Sequence, residues 1–306
     1  MRKPASSDAV VAGNLVSILR TRHRVLKTIR DFFDTRDYTE VETPVRVKCP
    51  GIDPYIDALP AGPGYYLATS PELHMKRLLA GGCDRLYQVT HAFRAEEAGH
   101  LHNAEFTMLE WYRTGADYAA ILQETEALLQ NIAAALGGRA KAWRFPLERL
   151  TVDELYAGQA GWRPSEDWDE KRYFLDWVEL IEPFLQTFDA LFVIDFPAPL
   201  ASLAKLKAAQ PGVCERFELF LGGIEVANAF SELTDYHEHL RRFETASRQR
   251  QQMGKERYRP DNGFLEALQA GLPECGGIAV GVDRLIMAGL GLGHIEDVQP
   301  FPLARL

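Results

Sequence analysis

The sequence of 306 residues contains only four cysteines, and no two of them form a C-x-x-C pair. Because zinc knuckles and thioredoxin-type redox sites need such closely spaced thiols, both kinds of site are excluded. No uncharged apolar run approaches the ~18 residues of a transmembrane helix. Residues 1–20 also lack the sustained apolar stretch of a secretory signal. We therefore expect a cytoplasmic protein with no membrane partner.

Basic residues are in the minority as well. Lys and Arg number 34 against 43 Asp and Glu, which gives a formal net charge of −9. This balance argues against a broad nucleic-acid surface, which needs clustered Lys and Arg. A P-loop is excluded too, because no G-x-x-x-x-G-K-[ST] segment occurs. With 46% hydrophobic and 25% charged residues, the composition is typical of a globular protein.

The apolar patterns predict an α+β protein, with an antiparallel sheet flanked by helices. Strand and helix patterns do not alternate regularly and hairpins are frequent, which favours antiparallel pairing. An amphipathic helix is predicted at 21–36 and an extended segment at 38–45. Further strands are predicted at 85–94, 105–112, 191–196, 217–230 and 276–281, and further helices at 117–136, 237–253 and 282–290. We expect a single domain over residues 1–306, with a mostly helical insertion at about 138–190.

A short helix with clear boundary signals is predicted after Ser70. The Ser70 hydroxyl can cap this helix, and Pro71 suits the first helical position. Glu72 lies in the first turn, where the helix dipole favours a negative charge. Gly81 and Gly82 are typical of a helix end.

The strand at 105–112 carries a carboxylate and a phenol on an otherwise apolar face. Because side chains alternate along a strand, Phe106, Met108, Glu110 and Tyr112 share that face. Such a pair, shielded from water, suits the recognition of a cation. The alternative interpretation is a buried glutamate that is satisfied by its neighbours or by a nearby arginine.

A second group of carboxylates lies near Gly222 and Gly223. A two-residue turn at these glycines pairs residue 225 with residue 220 and makes Glu218 a diagonal neighbour of Glu225. Two adjacent carboxylates repel each other unless one is protonated or a cation lies between them. Since Mg²⁺ takes one or two carboxylates together with substrate phosphates, a metal–nucleotide site is one interpretation. A solvated hairpin face is the other.

The side chains of the strand after this turn are not all predicted to lie on one face of the sheet. Simple alternation puts Asn228, Phe230 and Glu232 on the face opposite Glu225. A bulge or the end of the strand is needed to bring all four side chains to one cavity.

The segment from Gly277 to Arg284 joins a strand of small residues to the start of a helix. Small residues such as Gly281 let the backbone approach a ligand closely, and Arg284 in the first helical turn can reach a phosphate. Packing of the helix on the sheet, with a surface arginine, is the alternative interpretation.

Five blocks, taken in order from about residue 22 onward, resemble the lysyl subgroup of class II aminoacyl-tRNA synthetases. The predicted 21–36 helix and the strand after it resemble motif 1, "FRAEEAGHLHNAEFTMLEWY" resembles motif 2 and "GIAVGVDRL" resembles motif 3. The blocks "SPELHMKRLL" and "RFELFLGGIEVANAFSELTD" also match. Within the subgroup, the sequence is most similar to the ligases that modify elongation factor P. The resemblance implies a class II catalytic core that dimerises through motif 1.

The resemblance also implies a role for each matching residue. Arg94 is implied to bridge the substrate carboxylate and the α-phosphate of ATP, and Arg284 to contact the terminal phosphate; both would be catalytic. Further ATP contacts are implied for Glu96, Asn103, Phe106, Glu225, Val226 and Gly281. Mg²⁺ is implied to bind Glu218 and Glu225. Contacts with the amino acid are implied for Ser70, Glu72, Glu110, Tyr112, Asn228, Glu232 and Ala279.

Three small residues bear on the choice of amino acid. The ligases carry alanine at the position of Ala279, where lysyl-tRNA synthetases carry glycine, and this accompanies a preference for (R)-β-lysine over lysine. One methyl group discriminates by roughly 1–3 kcal/mol, so it sets a preference. Ala229 and Ser231 depart from the glycine and histidine that are usual in the ligases.

The resemblance therefore implies an enzyme that uses ATP and Mg²⁺ to activate (R)-β-lysine or lysine as an adenylate. The activated amino acid would pass to a lysine ε-amine of elongation factor P. Only about twenty residues precede the predicted motif 1 helix, too few for the five-stranded OB-fold that reads an anticodon, so tRNA is not the expected partner. Two alternatives are a truncated lysyl-tRNA synthetase that charges tRNA or another carrier, and a regulatory protein that binds lysine or nucleotide without turnover.

Overall fold

A computed structural model describes residues 7–95 and 99–302, with side chains described from residue 15 onward in the first helix. The strands are β1 (Thr39–Glu40), β2 (Arg46–Val47), β3 (Tyr66–Leu67), β4 (Arg85–Phe93), β5 (Glu105–Thr114), β6 (Glu148–Thr151), β7 (Leu191–Pro197), β8 (Val213–Leu221), β9 (Ile224–Ser231) and β10 (Cys275–Gly281). The helices are α1 (Ser7–Asp34), α2 (Glu72–Ala80), α3 (Tyr118–Leu136), α4 (Val152–Gln159), α5 (Glu170–Asp176), α6 (Glu182–Leu185), α7 (Tyr236–Gln252), α8 (Asn262–Gly271) and α9 (Val282–Leu290). A π-helical turn, Trp177–Ile181, joins α5 to α6.

Eight of these strands form one sheet in the order β1-β4-β5-β10-β9-β8-β7-β6. The two outermost pairs are parallel, and the five inner pairs are antiparallel. The predicted α+β class with a largely antiparallel sheet is confirmed. Within the described ranges, no helix combines the length and the apolarity needed to cross a bilayer.

The first helix begins earlier than predicted, at Ser7, and ends at Asp34. Its predicted apolar face is confirmed, because Val25, Ile29 and Phe33 are fully buried. Phe33 stacks on Tyr87 of β4 with ring centroids 4.5 Å apart. The helix thus packs against the sheet directly beside the strands that carry the candidate site.

The predicted helix after Ser70 is α2, which begins one residue later than expected. Pro71 is the capping residue instead of the first helical residue. The Ser70 hydroxyl nevertheless accepts a hydrogen bond from the Glu72 amide at 3.3 Å. Glu72 lies in the first turn as predicted, and the helix gives way to Gly81 and Gly82.

The segment 138–190 is mostly helical, but it also contributes β6 at the edge of the sheet, which the sequence did not predict. Its helices form an apolar cluster of their own against β7 and β8. In this cluster the rings of Tyr156 and Tyr173 stack with their centroids 4.8 Å apart.

The β8–β9 hairpin shows how Glu225 and the polar residues farther along β9 come to lie on one face of the sheet. The predicted pairing of Phe220 with Glu225 is confirmed, but the next pair is Leu219 with Ala227. Val226 is therefore an extra residue in β9, and this bulge reverses the alternation of the side chains that follow. Glu225 consequently shares a face with Asn228, and the carboxylate near the turn and the polar residues farther along β9 are brought to one side of the sheet.

Candidate active site

Two adjoining pockets lie on one face of the sheet, where β4, β5, β10 and β9 run side by side. Both pockets are lined by Arg94, Met108, Asn228 and Ala279. The strand register explains the junction, because Ala279 pairs with Glu110 on one side and with Asn228 on the other. Arg94 is the charged residue among those that line both pockets.

The first pocket, which we call the acidic pocket, contains every residue expected to contact an amino acid. Its lining includes Ser70, Glu72, Glu110, Tyr112, Asn228, Glu232 and Ala279. Gly277 allows its tight construction, since a Cβ there would lie 2.2 Å from the Tyr112 ring. The sequence had placed these residues on separate segments.

The second pocket, the Arg284 pocket, contains the residues expected to contact ATP, with one exception. Its lining includes Arg94, Asn103, Phe106, Glu225, Val226, Gly281 and Arg284. Glu96, the remaining expected contact, lies outside the described residues.

Glu110 is buried at the floor of the acidic pocket, with 1% of its surface exposed. Tyr112 donates a hydrogen bond to it at 2.9 Å. Arg113, a possible partner in the alternative interpretation, contacts Glu124 instead. Burial, together with the negative charge of Glu72, raises the pKa of Glu110 to about 8. Burial thus favours the uncharged form of this carboxyl, and a cation placed beside it would offset that cost.

Lys76, which lies beside this pocket, is a residue that sequence reasoning did not single out. Its side chain is completely buried, and its Nζ lies 2.6 Å from Glu72 Oε1 and 2.6 Å from Glu232 Oε2. Burial by itself lowers the pKa of Lys76, but the two carboxylates raise it above its usual value. Its spacing of four residues from Glu72 was the available signal, since such residues share one helix face.

Arg284 is held at the mouth of the second pocket by backbone carbonyls. It donates to the Glu225 carbonyl at 3.0 Å and to the Leu101 carbonyl at 3.2 Å, and it also contacts His102. The Arg94 guanidinium lies 5.2 Å from the centre of the Phe106 ring. The two arginines and this aromatic face can together receive a triphosphate and a flat base.

Glu218 is buried beside Arg216, which donates a hydrogen bond to it, and it does not line either pocket. Burial and the charge of Glu225 raise its pKa to about 7. The two carboxylates therefore repel each other, as the hairpin pairing predicted, and a divalent cation would relieve that repulsion. Among the described residues no group of three or more acidic, His or Cys side chains could hold a metal. Of this pair, Glu225 lines the Arg284 pocket and can offer an oxygen to a Mg²⁺ ion that also takes phosphate oxygens.

Comparison with known proteins identifies the family. The family described as tRNA synthetases class II (D, K and N) matches residues 7–305. A protein of Vibrio cholerae named Elongation factor P--(R)-beta-lysine ligase is 40% identical, over 95% of this chain and 96% of its own. Proteins of the same name from Proteus mirabilis and Salmonella arizonae are 40% and 38% identical, and their alignments cover 98% and 94% of this chain and 98% and 95% of theirs.

The chain belongs to the class II tRNA synthetase family. The resemblance seen in five sequence blocks therefore extends over nearly the whole chain.

The family's three motifs are tied together by Asp283, a second residue that sequence reasoning missed. Its carboxylate accepts a hydrogen bond from the Thr107 amide at 2.7 Å and contacts Arg22 of α1. Arg22 in turn donates to the Thr107 hydroxyl at 2.9 Å. Asp283 precedes Arg284 and is 1% exposed, so it fixes the start of α9 against β5 and α1. An acidic residue inside an apolar strand–helix junction was the signal for it.

The two departures from the usual ligase pattern lie on the other face of β9. Ser231 accepts a hydrogen bond from the Tyr118 amide at 2.8 Å and so stabilises the start of α3. Ala229 is fully buried in the apolar core. Neither residue lines the acidic pocket or the Arg284 pocket.

Proposed function

We propose that this protein is an ATP-dependent ligase that activates (R)-β-lysine or lysine as an aminoacyl-adenylate and transfers it to a lysine ε-amine of elongation factor P. One observation carries the proposal: Arg94 lies where a buried acidic pocket meets a pocket lined by Arg284 and Phe106. The names of the relatives support the choice of acceptor.

The acidic pocket would bind the amino acid through its two ammonium groups. Glu72 would bind the amine near the substrate carboxylate, whereas Glu110, Tyr112 and Glu232 would bind the distant ammonium. Asn228 would donate to the carboxylate, because its Oδ1 already accepts a hydrogen bond from Arg216 at 3.1 Å. This arrangement would direct the carboxylate toward Arg94.

The activation step needs positioning and charge stabilisation from the protein, but no protein nucleophile. A carboxylate oxygen of the amino acid forms a bond to the α-phosphorus of ATP, and the bond from that phosphorus to pyrophosphate breaks. Arg94 would stabilise the charge that develops between the two reactants, and Arg284 would hold the terminal phosphate. Asn103, Phe106, Val226 and Gly281, together with Glu96, would hold the rest of the nucleotide.

Mg²⁺, held by Glu218 and Glu225, would neutralise phosphate charge during this step. In the second step an uncharged ε-amine of the acceptor attacks the acyl carbon, and AMP leaves to give an amide. A pocket that shields the anhydride from water would favour the amine over hydrolysis.

We further propose that the protein is a single catalytic domain, with 138–190 as an insertion, and that it acts in the cytoplasm as a homodimer through α1 and β1. Analytical ultracentrifugation of the purified protein tests the dimer. Sedimentation as a monomer at micromolar concentration would contradict it.

Two assays test the proposed reaction. With ATP and Mg²⁺, a panel of amino acids should drive ATP–pyrophosphate exchange best with (R)-β-lysine or lysine, and no exchange would favour a regulatory protein. In the second assay, elongation factor P should gain one lysyl mass, measured by mass spectrometry. An unmodified factor together with efficient charging of tRNA would overturn the proposed acceptor.

A further inference from the structure

The strongest feature that the proposed reaction leaves without a role is the buried ammonium group of Lys76. It does not line the acidic pocket, so it is not placed to touch a substrate there. It lies between Glu72 and Glu232, at 2.6 Å from one oxygen of each carboxylate. A lysine that is fully buried is rare unless it is paired, and here both of its partners are substrate-binding residues of the proposed site.

The ion pairs leave one oxygen of each carboxylate for another partner. In Glu232 this is Oε1, because Oε2 forms the ion pair with Lys76; both oxygens are buried, and neither accepts a hydrogen bond of good geometry from the described residues. Oε1 faces β10 at the pocket, since a Cβ on Gly277 would lie 2.5 Å from it. An acceptor that is buried and unsatisfied costs free energy until a donor arrives. An ammonium group of the substrate is such a donor.

The charges of the pocket give Lys76 a second effect. Glu72, Glu110 and Glu232 carry three negative charges when ionised, and Lys76 reduces the sum to −2. Without that cation, the buried carboxylates of Glu110 and Glu232 would be left beside the partly exposed Glu72 with no positive charge between them, and their repulsion would favour protonation of the two buried groups. A protonated carboxyl binds an ammonium group poorly, because its charge is lost.

The other polar groups around Lys76 do not offset its charge. Tyr112 presents its ring at 5.9 Å, and the thiol of Cys275 lies nearby on β10. Burial and the charge of Lys76 lower the pKa of His239 on α7 to about 4, so its ring is neutral at physiological pH. The positive charge of Lys76 is thus compensated by the neighbouring carboxylates and not by these other groups.

We infer that Lys76 is a positioning residue that orients Glu72 and Glu232 and compensates part of their negative charge, so that the pocket selects an amino acid with two ammonium groups. This inference rests on the proposed function. It assigns specificity for a dication to a residue that does not line the substrate pocket.

The test is ATP–pyrophosphate exchange by the full chain with Lys76→Met. We expect the KM for lysine or β-lysine to rise about 10–100-fold, the effect of weakening hydrogen bonds to charged groups. The KM for ATP should change less than about twofold, because the Arg284 pocket is intact. The lower limb of the pH profile of kcat/KM for the amino acid should move upward by about one unit, since removing the cation favours the protonated carboxyls.

Two further variants separate positioning from support of the fold. Lys76→Arg keeps the cation and should restore the wild-type pH profile, even if its larger side chain raises KM; this variant also serves if Lys76→Met does not fold. In a double-mutant cycle, adding Lys76→Met to Glu232→Gln should cost less than adding it to the wild type, because one of the partners is already neutral. The matched control is Arg77→Met, which removes the next cation along α2, one that contacts Asp261 outside the pocket.

The outcomes distinguish this inference from the proposed function. Wild-type protein without lysine-driven exchange would overturn the proposed function and this inference with it. Wild-type exchange with an unchanged amino-acid KM and pH profile in Lys76→Met would overturn only the inference. Additive costs in the cycle, or an equal rise in both KM values, would also overturn it.

Discussion

The two pockets that meet at Arg94 are built in opposite ways. In the acidic pocket, Glu110 and Glu232 are each 1% exposed, and burial raises the pKa of both, to about 8 and about 7. In the Arg284 pocket, Glu225 is exposed and Arg284 is only partly buried, with its donors on backbone carbonyls. In the first pocket, burial disfavours the charged form of the carboxyls, whereas the second pocket presents accessible groups that can exchange backbone contacts for phosphates.

This difference implies that different changes should affect substrate binding in the two pockets. The affinity for the amino acid should depend on pH and on small changes in the shape of the pocket, because the carboxyls of Glu110 and Glu232 are buried and their charges influence each other. The affinity for the nucleotide should depend on single accessible charges. The following changes test that division.

The largest effect is expected for Arg94→Ala, which acts on both pockets. Loss of a key electrostatic donor should lower kcat of ATP–pyrophosphate exchange by at least about 10²–10³-fold. The control is Arg85→Ala at the opposite end of β4, where the exposed arginine donates to the Arg36 carbonyl. A loss confined to the KM of one substrate would show that Arg94 does not serve both pockets.

Arg284→Ala should affect the nucleotide alone. Removal of one charge-assisted contact to a phosphate should raise the KM for ATP about 10–100-fold and leave the KM for the amino acid nearly unchanged. Exchange assays with each substrate varied in turn measure both values. Arg248→Ala, an exposed arginine of α7, is the control. An equal rise in both KM values would contradict the expectation that Arg284 affects only the binding of the nucleotide.

Ala279→Gly should alter the choice of amino acid. The methyl group lies between Glu110 and Asn228, so its loss enlarges the acidic pocket near the substrate carboxylate. We expect the ratio of kcat/KM for lysine to that for (R)-β-lysine to rise about 5–150-fold, which corresponds to 1–3 kcal/mol. Ala229→Gly, on the other face of β9, should leave the ratio unchanged. If both variants change the ratio equally, the methyl group of Ala279 does not determine the choice of amino acid.

The last effect concerns stability instead of catalysis, and it is expected in the pH dependence of the substrate-free protein. A carboxyl whose pKa rises on folding, as in Glu110, adds stability below its unfolded pKa, and this stability is lost as pH rises through the folded value of about 8. The free energy of unfolding should therefore fall between pH 5 and 8, by at most about 1.4 kcal/mol per pH unit for this proton. Glu110→Gln should flatten that slope in urea titrations.

The matched control for this measurement is Glu105→Gln, at the start of the same strand, where the side chain of Glu105 is 54% exposed. This variant should keep the slope of the wild type. A steep slope that survives in Glu110→Gln would show that another group carries the titration.

Much of the fold was accessible from local patterns, whereas the roles expected of most site residues came from the resemblance of five sequence blocks to a known family. The strands at 85–94 and 105–112, and the Gly222–Gly223 turn, followed from alternation and turn chemistry, because these depend on near neighbours in sequence. The early start of α1 and the edge strand β6 were missed. The edge strand β6 depends on its pairing with β7, about forty positions later in the chain, which a sequence window does not contain.

The bulge at Val226 shows the same limit within the site. Its sequence carries no unusual residue, yet the bulge decides whether Glu225 and Asn228 share a face. Lys76 was overlooked for a related reason. Spacing along α2 joins it to Glu72, but only the tertiary structure brings Glu232 to its other side, 156 positions later in the chain.

The sequence by itself determined which chemical groups are available: the carboxylates for ammonium groups, the arginines for phosphates, and the small residues that let a ligand approach. These follow from residue type and short spacing. The tertiary structure alone decided the depth at which each carboxylate is buried, the cation that compensates them, and the single guanidinium at which the pockets meet. The physical reason is that desolvation and Coulomb energies depend on distances between segments far apart in the chain, which residue spacing does not determine.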